Sequence, residues 1–433
     1  MGRGRAGRSE AGSEADLAGL TRPPAAGRFR RVPDGRAERS GRAPHGDVSF
    51  GRNQQVHDAS VTARPARVRG FRGLSVILAL GVVCLSALPA MAQAGRPSIP
   101  EGLISKPSEL TPDEVRQVRT YVNEHLPRLT AENIDHRRAA RRDLRRPLTA
   151  RGVTVSFRLA YSAQLVPELR RLADNQDRGV ATIALLLAGE LATSPAAQLA
   201  VDRLASEDEV IRFAAASSLG ETLRVAADGA PAMNEQQLTN LINRLGERLQ
   251  SEENPLVLDR VIRSIGAGAT NQRREFANLR NAATRLLGDR LAERVQNADA
   301  ARPDAEMELS MLRGAETVFS SVNRGTLSPE ALRASGLLSG QLIAYAERRL
   351  NAGGLNGDEV QRLQQIVGAS ENVIVFAWSL LDPRAPRRQF GLRDAMGPDG
   401  RRDRFRTAAD AVIGAQGVLT RPPFEFSTGQ FPR

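Results

Sequence analysis

Helical spacing of apolar residues is the feature that most restricts the fold of this 433-residue chain. One such stripe consists of Leu238, Leu241, Leu245 and Leu249. Helix-start signals recur too, since a capping side chain stands before a proline at Thr111-Pro112, Ser194-Pro195, Asn254-Pro255 and Ser328-Pro329. Alternation typical of a strand is limited to Val153, Val155 and Phe157. The sequence therefore predicts an all-α fold.

Three apolar segments in the middle of the chain each run into a glycine near a predicted helix end. They are Val180–Glu190, Val210–Glu221 and Leu256–Ala267, with their glycines at Gly189, Gly220 and Gly266. An amphipathic segment precedes each one, at Leu165–Leu172, Ala196–Leu204 and Gln236–Leu249. The glycines are 31 and 46 residues apart, and an insertion at Val225–Met233, predicted as a surface loop, accounts for the longer step. Paired helices at this period are typical of an α-solenoid.

The segment Asp208–Gly220 (DEVIRFAAASSLG) resembles a HEAT repeat. In that family an Asp opens the turn, Val and Arg begin the second helix, and small residues allow close packing. The resemblance covers about Ala163–Gly268 and is weaker in the two flanking units. It implies a curved stack whose faces bind other macromolecules, and it implies no catalytic residue. A helical bundle without repeats remains the alternative.

The predicted domain organisation follows from these patterns. An N-terminal helical segment occupies residues 110–160, HEAT-like repeats 161–269, and a bundle of longer helices 270–382. Residues 383–433 form an Arg/Pro-rich linker, a short helix and an irregular tail, which we expect to dock on the body. Longer helices are predicted at Gln272–Gln296, Asp304–Val322, Pro329–Asn351, Asp358–Leu381 and Arg406–Leu419.

Positive charge is concentrated at the start of the chain. The net charge is +12, and residues 1–92 hold 15 Arg against 7 Asp and Glu. Residues 1–63 are rich in Arg and Gly without apolar periodicity, which predicts a disordered extension. Because aromatic residues are few there and the excess lies outside the folded part, we expect no nucleic-acid partner.

Residues 64–92 have the three parts of a secretory signal. Four arginines (Arg64, Arg67, Arg69 and Arg72) precede the apolar stretch Leu74–Leu88, and Ala90-Met91-Ala92 supplies small residues for cleavage. We predict cleavage after Ala92, with Ala94 as the alternative, and a linker at 93–109. The protein is then periplasmic or secreted; an uncleaved anchor is the less favoured alternative. A further hypothesis is that translation begins near Val61 or Val68, so that residues 1–60 are not made.

Motifs for catalysis or cofactor binding are absent from the sequence. Cys84 is the one cysteine, His125 and His136 lack metal-ligand spacing, and no Walker loop, G-x-S-x-G elbow or HExxH is present. We therefore predict a protein that is not an enzyme and that holds no cofactor or metal.

An arginine face is the candidate binding feature. Arg137, Arg138, Arg141, Arg142, Arg145 and Arg146 form three pairs at four-residue steps, which places them on one half of a helix. Such a face can bind phosphate, uronate or lipid headgroups, and the alternative is a solvated face.

These observations together predict a scaffold or adaptor that binds another protein through the surfaces of the stack. The alternative is attachment to an anionic envelope polymer or membrane surface through the arginine face. Salt distinguishes the two, because binding to arginines weakens with ionic strength and binding to an apolar surface does not.

Overall fold

The computed structural model describes residues 98–229, 231–324, 326–397 and 399–433. The predicted extension, the signal peptide and the first residues of the linker lie outside this part. Within it the only β-type contact is an isolated bridge between Thr193 and Ala232, so the predicted all-α fold is confirmed.

The helices are α1 (Glu101–Ile104), α2 (Pro112–His125), α3 (Ile134–Arg145), α4 (Val155–Ala173), α5 (Arg178–Leu191), α6 (Ser194–Arg203), α7 (Glu209–Asp228), α8 (Glu235–Ser251), α9 (Pro255–Ala269), α10 (Ala277–Gln296), α11 (Ala305–Val322), α12 (Pro329–Ala352), α13 (Gly357–Leu381), α14 (Leu392–Met396) and α15 (Arg402–Ile413).

Five successive hairpins, α4/α5 to α12/α13, make up most of the described chain. The second helix of each hairpin packs along the second helix of the next, and from α8 onward the first helices pack in the same way. Four of the longer helices predicted beyond residue 270 are present as α10 to α13 and continue this alternation, whereas the one predicted at Arg406–Leu419 is α15, which begins at Arg402 and ends at Ile413. The molecule is therefore a helical-repeat solenoid, in which each hairpin buries its apolar faces against its neighbours.

Each second helix begins at an Asp or Asn that accepts backbone N–H groups of the first turn. These N-caps are Asp177, Asp208, Asn254, Asp304 and Asn356. A side-chain oxygen at this position satisfies amides that no helical carbonyl can reach. The caps therefore mark one equivalent position in all five hairpins, including α10/α11 and α12/α13, which lie beyond the segment that resembles HEAT repeats.

Small residues form the seam between neighbouring second helices. Gly189 lies twelve residues after its N-cap, and a Cβ on it would lie 2.4 Å from the backbone oxygen of Ser218 in α7. The equivalent Gly220 faces Ser264 of α9, where a Cβ would lie 2.5 Å from the hydroxyl. Residues Ala214–Ala216 are buried as well. The predicted close packing across small residues is confirmed.

The C-terminal segment packs on the last hairpin. Phe424 lies over Gly336 of α12, and Phe431 lies over Gly340 one helical turn further. Both rings are buried, and Arg333 donates to the carbonyl of Pro423. The tail docks on the body, as expected from the sequence.

Two local predictions were wrong. Helix α7 continues to Asp228 with Val225 and Ala226 buried, so the predicted loop at Val225–Met233 is shorter. Ser194 is the first residue of α6 and not its cap; Thr193 precedes the helix, and because its hydroxyl lies 2.7 Å from the hydroxyl of Ser162 in α4, it does not cap the first turn.

Candidate protein-binding face

The six arginines of the predicted face lie on α3 and the residue after it, and the structure divides them into two sets. Arg137, Arg141 and Arg145, spaced by four residues, turn toward α5. Arg137 pairs with the N-cap Asp177 at 2.7 Å, and Arg141 and Arg145 lie 2.9 and 3.3 Å from Glu190. This set links α3 to the first hairpin.

The other three arginines point to solvent. Arg138, Arg142 and Arg146 are exposed, and Arg138 lies 3.5 Å from Asp135 in the same helix. An anion that meets the outer side of α3 therefore encounters three exposed guanidinium groups, of which Arg138 already has an acidic neighbour. Binding of an anionic polymer or membrane through this face stays a prediction.

Glu190 and Glu221 occupy equivalent positions, thirteen residues after their N-caps, and both line a cavity of about 550 Å³. Burial raises the pKa of Glu190, while Arg141 and Arg145 oppose that shift. A hydrogen bond from Arg224 lowers the pKa of Glu221 from its ordinary value. Each carboxylate thus has its own arginine partner, and the cavity is lined by formed ion pairs.

Two further buried carboxylates hold the stack together. Glu252, at the end of α8, accepts both nitrogens of the Arg212 fork at 2.9 Å and Arg248 at 2.6 Å. Glu308 accepts Tyr345 and Arg349 at 3.0 Å and Arg362 at 2.8 Å. Because hydrogen bonds fill both oxygens of each carboxylate, these clusters are structural links between repeats.

Other arginines donate to the carbonyls at the ends of neighbouring helices. Arg158 donates to the carbonyls of Glu190 and Leu191 at the end of α5. Arg294 in α10 donates to the end of α8, and Arg348 in α12 donates to the end of α10. A guanidinium fork satisfies several terminal carbonyls and complements the negative end of the helix dipole. Much of the arginine content therefore has a structural role.

The second helices expose a row of large apolar side chains, and we call their outward side the second-helix face. Its exposed members are Val210 on α7, Leu256 on α9, Leu309 on α11, and Phe376 and Leu380 on α13. Leu256 is 62% exposed, whereas solvated helix surfaces usually carry polar residues. The row spans four of the five hairpins.

Side-chain contacts on this side join the helices in pairs. The guanidinium of Arg260 lies 4.6 Å above the ring of Phe213, which links α9 to α7. The rings of Phe319 and Phe376 meet edge to face at 5.5 Å, which links α11 to α13. Rows of aromatic and arginine side chains held by neighbouring helices are typical of protein-binding surfaces.

No protein-family model matches the chain, and no curated protein matches it. Among solved structures, an engineered protein is similar at a TM-score of 0.33 and 15% identity, covering 58% of this chain and 97% of its own. A designed armadillo repeat protein is similar at 0.30 and 14%, with coverages of 59% and 99%. A second engineered protein reaches 0.27 and 14%, with coverages of 76% and 92%. Likeness at this level carries no functional statement about the chain.

Metal sites and membrane-spanning helices are both absent from the residues that the structure describes. No helix there is both long and apolar enough to cross a membrane. In the same ranges, no three His, Cys, Asp or Glu side chains form a potential metal site. His125 is buried 3.5 Å from the carboxylate of Asp143, and its ring packs on Tyr121. The absence of metal and cofactor stays a prediction.

Sequence reasoning missed the second-helix face, although a signal for it exists. Val210 and Leu256 both stand two residues after an N-cap, and Phe213 and Leu309 both stand five residues after one. Once the five caps are aligned, these positions are outward-facing, where an apolar residue is unexpected. The arginine pairs of α3 can be recognised from their spacing alone, whereas the outward apolar positions can be recognised only after the repeats are aligned.

Proposed function

We propose that the protein is a non-catalytic scaffold that binds a protein partner across the second-helix face. The observation that carries the proposal is that large apolar side chains, from Val210 to Leu380, are exposed on the second helices of four hairpins. Exposed apolar residues gathered in one patch are a feature of interaction sites, whereas scattered ones are normal on any surface.

The proposal extends to the type of repeat and to the compartment. A HEAT-like assignment is supported by Asp208, which caps α7, and by Arg212, which follows at the fourth helical position and contacts the next hairpin. Export is supported by the signal-like residues 64–92 of the sequence. On this basis the partner is expected in the cell envelope or outside the cell.

An affinity capture with the full chain tests the function. The face variant carries Leu256→Asp, Leu309→Asp and Leu380→Asp, all at exposed positions, so we expect its fold and unfolding midpoint to change little. The control carries Ile134→Asp and Leu159→Asp, which are equally exposed but lie on α3 and α4. Both chains are compared with the unmodified chain in capture from envelope extract.

We expect the unmodified chain and the control to retain the same partner at about 0.5 M NaCl, where exposed charge pairs are screened. The face variant is expected to lose it. Equal retention by the face variant, or the absence of any retained partner, would contradict the proposal. Retention that disappears at moderate salt in all three chains would favour the arginines of α3 instead.

A further inference from the structure

Arg260 on α9 differs from the other arginines of its own helix and of the two neighbouring second helices. Helices α7, α9 and α11 also carry Arg212, Arg224, Arg263 and Arg313, and each of these forms an ion pair with a carboxylate. Among the arginines of these three helices, Arg260 has no ion-pair partner; it lies over the ring of Phe213.

The nearest acid on the same helix is already engaged. Asp259 lies 2.6 Å from Arg263 and 3.7 Å from Arg313. Burial, and then the neighbouring charge of Arg263, lower the pKa of Arg260 from its ordinary value, with Asp259 opposing them. The guanidinium thus lies in a half-buried place where its positive charge is not balanced.

Apolar side chains border Arg260 on one side. Phe213 lies under the guanidinium, and the exposed side chains of Val210 and Leu256 lie one turn away, on α7 and α9. Stacking on an aromatic ring restricts the arginine to one orientation, so less conformational entropy is lost when a ligand binds. A guanidinium held in this way binds a carboxylate through two parallel hydrogen bonds.

We propose that Arg260 anchors a site for an acidic residue of the partner polypeptide, and that an apolar residue beside this acid packs on Leu256 and Val210. The inference rests on the proposed function and specifies the chemistry of the partner. Charge complementarity selects this occupant, because Arg260 has no ion-pair partner and lies beside the exposed apolar side chains of Val210 and Leu256. The carboxylate forms a charge-assisted hydrogen bond there, and the apolar residue beside it covers the exposed apolar surface.

Selection from a phage-displayed library of random peptides on the immobilised full chain tests the site. We expect selected peptides to carry Asp or Glu next to Leu, Ile, Val or Phe. Arg260→Gln is expected to weaken their binding at least about tenfold, in line with the loss of a charge-assisted hydrogen bond. The control Arg244→Gln removes an exposed arginine of α8 and is expected to bind as the unmodified chain does.

A double-substitution cycle gives the decisive readout. Replacing the peptide's acid by its amide is expected to weaken binding to the unmodified chain and to have no further effect on the R260Q chain. If the selected peptides carry no acid but fail to bind the Leu256→Asp chain, the Arg260 site is overturned and the proposed function stands. Peptides that bind independently of both residues, or selection of none, would overturn the Arg260 site and count against the face itself.

Discussion

Gly189 of α5 lies against the backbone of Ser218 in α7, so closely that a Cβ at residue 189 would be 2.4 Å from the Ser218 oxygen and 2.8 Å from its Cα. Backbone atoms in the middle of a buried helix cannot move aside as a flexible side chain can. The distance between the first two second helices is therefore set by the absence of a side chain at one position.

Gly189→Ala is expected to destabilise the protein by about 1–3 kcal/mol, because α5 and α7 must separate to admit the methyl group. Urea unfolding followed by circular dichroism measures this change. Gly357→Ala, at the first position of α13 with no atom within 4 Å of its Cβ, is the matched control and is expected to be neutral or slightly stabilising. Equal midpoints for the two variants would contradict the close contact.

Glu308 connects α11 to α12 and α13 through Arg349 and Arg362. Glu308→Gln removes the acidic partner of Arg362 and leaves buried Arg349 with Glu359 alone, so we expect a loss of about 3 kcal/mol in the free energy of unfolding. Glu316→Gln, which removes an exposed partner of Arg313 on the same helix, is expected to change it by less than about 0.5 kcal/mol. A small effect of Glu308→Gln would mean that the cluster contributes little to the stack.

The sequence predicted the helices well because their start signals are local. Asn254 and Ser328 cap α9 and α12 as expected, and α11 and α13 match their predicted ranges to within one residue. The seam glycines were also found, because Gly189 and Gly220 recur at the same place in similar segments. Capping and small-residue packing act over a few positions, so they leave a readable pattern.

The ion-pair partners of charged residues could not be predicted from local sequence patterns. Arg141 contacts Glu190, forty-nine residues away, and nothing near either residue indicates the pairing. The arginine pairs of α3 were consequently interpreted as one surface, although half of them turn inward. Contacts between hairpins depend on how far each helix is rotated about its axis, and periodicity fixes that rotation only approximately.

Glu252 is expected to make the free energy of unfolding depend on pH. Burial by itself would raise the pKa of Glu252, but hydrogen bonds from Arg212, Arg248 and the Asn254 amide outweigh burial and lower it to about 2. Because the folded-state pKa lies below the ordinary 4.5, the stabilisation is full above pH 4.5 and is lost as the pH falls toward 2. The shift corresponds to about 3 kcal/mol.

Urea unfolding of the unmodified chain and of Glu252→Gln between pH 7 and pH 3 measures this contribution. The difference in free energy of unfolding between the two chains is expected to shrink by about 2 kcal/mol over that range, because only the unmodified chain carries the titrating group. The control Glu316→Gln removes only an exposed ion pair and is expected to change the free energy of unfolding by less than about 0.5 kcal/mol at pH 7. Parallel profiles for Glu252→Gln would contradict the lowered pKa.

The two sets of arginines on α3 are expected to differ in their effect on stability. The double variant Arg141→Ala and Arg145→Ala leaves buried Glu190 without its two ion-pair partners, so a loss of about 2 kcal/mol is expected. The matched double variant Arg138→Ala and Arg142→Ala is expected to lose less than about 0.5 kcal/mol. Thermal unfolding compares them, and equal losses would mean that the inward set does not hold α3 in place.

The tail is expected to leave α12 when Gly340 gains a side chain. A Cβ at residue 340 would lie close to the Phe431 ring and 2.8 Å from Leu419, so Gly340→Ala displaces the tail without breaking α12 itself. The amide of Phe426, which donates to the Leu419 carbonyl at 2.9 Å, is then expected to exchange with solvent at least about tenfold faster.

Gly429→Ala is the control within the tail, because no atom lies within 4 Å of its Cβ. Hydrogen exchange read by mass spectrometry on peptides covering residues 415–433 compares the two variants. Protection of these peptides should fall in Gly340→Ala alone, while peptides from α7 and α9 keep theirs, since the tail packs on α12 and α15. Unchanged protection in both variants would show that Phe431 moves aside locally and that Gly340 is not what seats the tail.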